Sequence, residues 1–230
     1  MKFKFFTTIL FIFIFCFSLF SQKQPDAGMW NTFSLEKEIT NDLSICFDQE
    51  LRFKENYSRL NLLYTNISAD YNVFKGFKVS IGYRFIDKYR IENRFSFRNR
   101  LMGDISYKYK FNKVTISYRS RLQAEVRDYY SSEVGKIPEW YWRNKFELKY
   151  KISKFTPYAG TEFRYQILDP RNPNSNHGLH RARMYAGVDY DINKRNTIGA
   201  YYLVQQEYDI DDPADVYIFG LQYTIVLKKE

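Results

Sequence analysis

Apolar and polar positions alternate with a period of two along most of this chain. In 43–54, Leu43, Ile45, Phe47, Leu51 and Phe53 share one parity; Ser44, Cys46, Asp48, Glu50, Arg52 and Lys54 share the other. Successive side chains of a strand point to opposite faces, so this segment is a strand with one apolar and one charged face. The same pattern predicts eleven strands, near 29–39, 43–54, 60–73, 77–86, 95–110, 113–126, 139–151, 155–167, 179–190, 197–208 and 215–228. No amphipathic helix or linker interrupts them. Segment 29–39 alternates least cleanly, because Trp30 shares its parity with Thr32, Ser34 and Glu36.

The connections alternate too. Residues 40–42, 74–76, 111–112 and 152–154 read as tight turns, 87–94, 127–138 and 168–178 as long loops, and 55–59 as intermediate. Pro138, Pro170, Pro173 and Pro213 lie in or beside the longer connections. Most strands exceed the roughly 5–6 residues usual in soluble sheets. They suit the about 9–11 residues that a tilted strand needs to cross hydrocarbon. Tight turns at one end and long loops at the other are the habit of bacterial outer-membrane barrels. The expected fold is all-β, an antiparallel up-and-down transmembrane β-barrel of about 10–12 strands with short periplasmic turns and longer extracellular loops. Such barrels normally have an even strand count. Twelve is therefore favoured, with 22–28 adding a short strand; otherwise one of the eleven segments, with 29–39 the first suspect, is not a strand.

Three features decide which face points outward. One parity is almost free of charge, as in Phe77, Val79, Ile81, Tyr83, Phe85 and in Val114, Ile116, Tyr118, Leu122, Ala124, Val126. A Lys or Arg on the lipid face costs roughly 2–4 kcal/mol at mid-bilayer, which explains such exclusion. Aromatics gather toward the ends of these rows, at Tyr71, Phe77, Phe95, Tyr107, Tyr109, Trp140, Trp142, Tyr150 and Tyr190, as interfacial girdles do. Glycines favour the charged parity (Gly82, Gly160, Gly187, Gly199, Gly220), where they would make room for long Arg and Glu side chains inside a barrel. The charged face is expected inside and the apolar face against lipid.

The expected lumen network comprises Asp48, Glu50, Arg52, Arg98, Arg100, Asp104, Arg119, Arg121, Glu125, Arg143, Glu147, Glu162, Arg164, Arg181 and Arg183, with Lys145, Asp189 and Glu207 beside them. If 111–112 is a two-residue turn, Asp104 faces Arg119 and Arg98 faces Glu125. Barrels of ten to twelve strands lie between filled eight-stranded ones and open porins. Long paired side chains would plug most of that space; an anion-selective narrow pore is the functional alternative.

The first 21 residues differ from the rest. Lys2 and Lys4 precede an uncharged apolar run to Phe20, the form of a secretory signal cut after Ser21. The barrel would then occupy 22–230. Losing two Lys lowers the net charge from +9 to +7. These charges are interleaved with acids on strands, so nucleic acid is not an expected partner. Cys46 is the one cysteine after the leader, so no internal disulfide and no Cys-x-x-Cys site is available. Aromatics make up 20% of the chain, which favours strands. Mean hydropathy is −0.51, unlike a polytopic helical membrane protein but compatible with a barrel.

The runs GMWNTFSLEKEI, QELRFKENYSRLN and GYRF at 82–85 resemble the domain of unknown function 2490 family of Bacteroidetes. That resemblance implies an outer-membrane β-barrel with an N-terminal signal, and it implies no activity or catalytic residues. GLQYTI at 220–225 resembles the C-terminal signal read by the barrel-assembly machinery. It departs in Ile218, where a polar residue is usual, and in the terminal Lys228-Lys229-Glu230.

The only histidines, His177 and His180, lie near Ser175. Serine and histidine at a barrel rim are the elements of a lipid-modifying enzyme. Their order does not match the His-x-Ser arrangement of outer-membrane phospholipases, so no catalytic residue is assigned. The acidic run DIDDPAD at 209–215 lacks the glycine and terminal Glu of a calcium loop. No metal or cofactor is expected. The sequence thus predicts a Gram-negative outer-membrane barrel, porin-like, with a structural or narrow-pore transport role. Its expected partners are outer-membrane lipid, lipopolysaccharide and the assembly machinery. The alternatives are a lipid-modifying enzyme and a soluble secreted ligand-binding barrel.

Overall fold

The computed structural model describes residues 26–89, 94–128, 137–170, 178–208 and 215–229. These form eleven strands: β1 Asp26–Glu38, β2 Leu43–Lys54, β3 Arg59–Phe74, β4 Phe77–Tyr89, β5 Phe95–Phe111, β6 Val114–Arg127, β7 Glu139–Tyr150, β8 Phe155–Leu168, β9 Gly178–Asp191, β10 Asn196–Glu207 and β11 Asp215–Leu227. Each strand pairs with its sequence neighbours, and β1 pairs with β11, which closes the sheet into a barrel. No helix occurs among the described residues. Closure leaves no strand edge unpaired.

The strand count falls within the expected range, but the closure differs from the all-antiparallel plan. An odd meander returns its last strand in the direction of its first, so β1 and β11 pair in parallel, with Trp30 opposite Gly220 and Ser34 opposite Thr224. The other ten pairings are antiparallel. Segment 29–39, the weakest by alternation, is a full strand and one side of this seam. Of 22–28, the segment expected to add a short twelfth strand, residues 26–28 instead begin β1, and 22–25 lie outside the described residues.

The β5–β6 register is displaced by two residues from the sequence expectation. Phe111 and Val114 are the last pair, so the turn is Asn112-Lys113 rather than 111–112. Asn112 adopts φ 50°, a left-handed conformation that Asn tolerates better than Phe. Asp104 therefore faces Arg121, not Arg119, and Glu125 faces Arg100, not Arg98.

Inside and outside are chemically distinct. Ile81, Leu101, Ile105 and Ile116 point outward and are each more than half exposed. On the alternate parity Glu50, Glu125, Glu139 and Glu162 are each buried within the barrel. The glycines on the inward parity make room chiefly for rings, not for Arg and Glu. A β-carbon at Gly160 would overlap Tyr185, at Gly187 it would meet Tyr201 and Tyr158, and at Gly220 it would overlap Tyr201. Beside the seam, buried Trp30, Leu203 and Ile218 form an apolar cluster, with Tyr185, Tyr201 and Val216 packed on it. Ile218, the residue that departs from the usual C-terminal signal, is the most buried of them.

Candidate functional site: the charged lumen

The expected lumen residues come together on the inward parity, in three zones along the barrel axis. At the loop end, Glu125 pairs with Arg98 (3.0 Å), with Arg100 and more distantly with Arg127 (3.8 Å). Arg127 also pairs with Glu139, which accepts a 2.6 Å hydrogen bond from the Tyr141 hydroxyl. Arg181 pairs with Glu207. Arg164 lies 2.6 Å from His180 Nδ1 and over the Tyr141 ring. Glu139, Gln123, Gln166 and Tyr141 are almost fully buried, so side chains fill this half of the lumen.

At mid-barrel, Glu162 alone serves three guanidinium groups, those of Arg119 (3.0 Å), Arg143 and Arg183 (3.1 Å). Asp104 and Arg121 form a two-pronged pair. Glu50 pairs with Arg52 and accepts hydrogen bonds from the Tyr64 hydroxyl (2.7 Å) and from Thr32 (2.9 Å). Arg52 in turn covers the Trp30 ring at 3.7 Å. This explains why Trp30 shares its parity with polar residues: its ring is the floor of a cation site, a contact worth about 0.5–2 kcal/mol by type.

At the turn end, Glu147 pairs with Lys145 (2.9 Å) and accepts from Tyr185 (2.9 Å). Lys149 bridges to Asp189 (3.0 Å), and Lys78 pairs with Asp70. Asp48 makes no ion pair among the described residues; it accepts from Ser34 (2.7 Å) and Asn66 (3.0 Å).

Sequence reading missed several lumen residues. Arg84, Lys78, Lys149, Asp70, Arg127 and Glu139 all lie on charged inward positions, and strict parity counting along β3, β4, β6 and β7 would have found them. The inward tyrosines Tyr64, Tyr141, Tyr158, Tyr185 and Tyr201 were hidden because tyrosine reads equally well as an interfacial residue.

Of the girdle aromatics, Tyr71, Tyr107, Tyr109, Trp142 and Tyr150 are exposed on the outer surface, while Phe77 and Trp140 are partly covered by neighbours. Phe77 stacks on Phe74. Trp142 donates to Ser120 Oγ at 2.8 Å, so its indole N–H is satisfied on an otherwise apolar face. Ser175 and His177 lie outside the described residues, as does 209–214 of the acidic run. His180 sits inside the barrel at its loop end, against Arg164 and Tyr141. Among the described residues no group of three His, Cys, Asp or Glu is placed to hold a metal ion.

The model of the family described as "Protein of unknown function (DUF2490)" matches residues 27–215. The chain belongs to this family. The match runs from β1 to the first residue of β11 and so spans the first ten strands of the barrel. Among solved structures, the chain is similar to LpxR from Salmonella typhimurium. The TM-score is 0.51 at 10% identity, over 84% of this chain and 87% of that one. At that identity the likeness concerns the fold alone. No curated protein matches.

Proposed function

We propose that this DUF2490 protein is an outer-membrane barrel whose apolar outer band meets lipid and whose lumen is largely plugged by its own ion pairs. The single observation that carries this reading is the inversion of polarity. Aliphatic and aromatic side chains cover the outside of a closed barrel, and networked Arg, Lys, Glu and Asp fill the inside. A soluble barrel has the opposite need, because exposed apolar patches beyond a few hundred Å² promote association. A bilayer demands a closed sheet with an apolar exterior. The role is structural or that of a narrow transport pore.

On this reading the tight turns face the periplasm and the long loops face outward. The girdle residues Tyr71, Tyr107, Tyr109, Trp142 and Tyr150 lie at the lipid interfaces, with Phe77 and Trp140 completing the belts. The host is Gram-negative, as the resemblance to a Bacteroidetes family implies, and residues 1–21 direct export. Outer-membrane lipid, lipopolysaccharide and the assembly machinery are the partners. No catalytic role is proposed.

Membrane fractionation followed by gel electrophoresis with and without boiling tests this. The expected result is an outer-membrane band whose mobility changes on heating. In planar bilayers the unboiled form is expected to show no steady open conductance, because side chains fill the loop half of the lumen. Recovery in the soluble periplasm would overturn the membrane reading; a steady large conductance would overturn the plug.

A further inference from the structure

We propose that the mid-lumen cavity binds a small phosphate-type oxyanion that enters from the turn end of the barrel. The inference rests on the charged-lumen barrel proposed above and adds a ligand to it.

Space comes first. A cavity of about 330 Å³ lies at mid-barrel. Two more, of about 280 and 580 Å³, continue toward the turn end, and Arg119 lines all three. The last reaches the turn at Gly76. The three cavities thus lie in series between the turn at Gly76 and the barrel centre, with Arg119 beside each. The central cavity is at the lower end of small-molecule sites, about 300–1,000 Å³.

Charge comes second. Eight Lys or Arg line the central cavity against three Glu. From beyond its wall, Asp104 pairs with Arg121 and Asp189 with Lys149. Counting those two acids still leaves an excess of three positive charges. Glu162 illustrates the deficit, since one carboxylate serves three guanidinium groups.

Unmet bonding comes third. Arg84 is 8% exposed and forms no ion pair among the described residues. Its Nε makes one long contact with Asn66 Oδ1 (3.4 Å), and its guanidinium lies over the Tyr64 ring. The nearby Asp48 reaches Asn66 instead. Buried charge is ordinarily paired, because its desolvation is costly. An oxyanion in the cavity would supply the counter-charge that Arg84 lacks, and guanidinium forks match phosphate geometry. A multiply charged phosphate group also answers an excess of three charges better than chloride or a single carboxylate.

The test uses the full mature chain, folded in non-ionic detergent, with its heat-dependent gel mobility recorded for every sample. Sodium phosphate is titrated in by calorimetry, with sodium chloride at equal ionic strength as reference. The expected result is saturable binding of phosphate over chloride, weakened at least tenfold in Arg84→Gln. Lys145→Gln, three strands away on β7 and also lining the central cavity, is expected to weaken it too and serves if Arg84→Gln does not fold. Lys54→Gln, at the loop end, is expected to leave binding unchanged. A parallel titration with glycerol 3-phosphate separates sources. Tighter binding of the ester points to a lipid-derived headgroup, and equal or weaker binding to free phosphate. No saturable binding by a barrel that retains its heat shift would overturn the site and leave the barrel reading intact. Equal binding by Arg84→Gln, Lys145→Gln and the parent would likewise overturn it. A chain with no heat shift would overturn the barrel reading on which the site stands.

Discussion

Arg121 and Asp104 face each other across β5 and β6, and two guanidinium nitrogens reach the two carboxylate oxygens at 2.7 and 2.6 Å. Both side chains are about nine-tenths withdrawn from solvent. In such a setting, loss of one partner leaves a buried charge that nothing neutralises.

Asp104→Asn is therefore expected to destabilise the barrel by about 3–5 kcal/mol, the usual cost of breaking a buried pair. The double change Asp104→Met with Arg121→Met should recover much of that loss, because no orphan charge remains. Urea titration of folding into lipid vesicles measures both. A single variant as stable as the parent would mean that water already solvates the pair.

How far this pair was legible bears on the fold at large. Alternation located all eleven strands, because period-two burial is written directly in residue types. It also put Asp104 and Arg121 on the inner face. It did not set their register, which depends on where a turn begins. Asn112, and not Phe111, takes the left-handed conformation, and that difference moved every partner by two residues. The β1–β11 seam was illegible for another reason. Its strands lie at opposite ends of the chain, and no local pattern states that they meet. Trp30 departs from plain alternation because its ring lies under the Arg52 guanidinium, a long-range contact that period-two burial does not encode. The cavity around Arg84 depends on which charges find partners, and alternation cannot supply that.

The outward face gives a depth-dependent prediction. Ile81 sits at the middle of β4, and Phe111 at the turn end of β5; both are about 60% exposed. If lipid surrounds the barrel, Ile81→Arg should cost about 2–4 kcal/mol and Phe111→Arg about 0–1 kcal/mol. Equal exposure with unequal cost is the signature of a bilayer, since water would treat the two alike. Folding titrations in vesicles read the difference, and equal small costs would point to a water-facing surface.

Gly220 and Tyr201 supply a packing prediction. They are partners across β10 and β11, and a β-carbon at Gly220 would overlap the Tyr201 ring. Gly220→Ala is expected to destabilise by about 1–3 kcal/mol through overpacking. Tyr201→Ser in the same chain should relieve the overlap and restore part of the loss. The heat-shift midpoint on gels compares the three chains. Failure of the second change to rescue the first would show that backbone freedom at Gly220, and not space, is what the position requires.

The parallel seam can be tested by a covalent link. Asn31 and Leu221 are partners across β1 and β11. Neighbouring strands lie about 4.7–4.9 Å apart, within the Cα separation of about 4.4–6.8 Å that a disulfide spans. With Cys46→Ser to remove the native thiol, Asn31→Cys and Leu221→Cys are expected to form a bond on oxidation of the folded protein. Cleavage at Met29, Met102 and Met184 would then leave the fragment carrying residue 31 joined to the one carrying residue 221 until a reductant is added. Moving the second cysteine to position 223 sets it two residues along the strand, beyond the reach of a disulfide, so the link should fail. An antiparallel closure through an added strand would separate β1 from β11 and prevent the first bond as well, so the pair of variants distinguishes the two ways of closing this barrel.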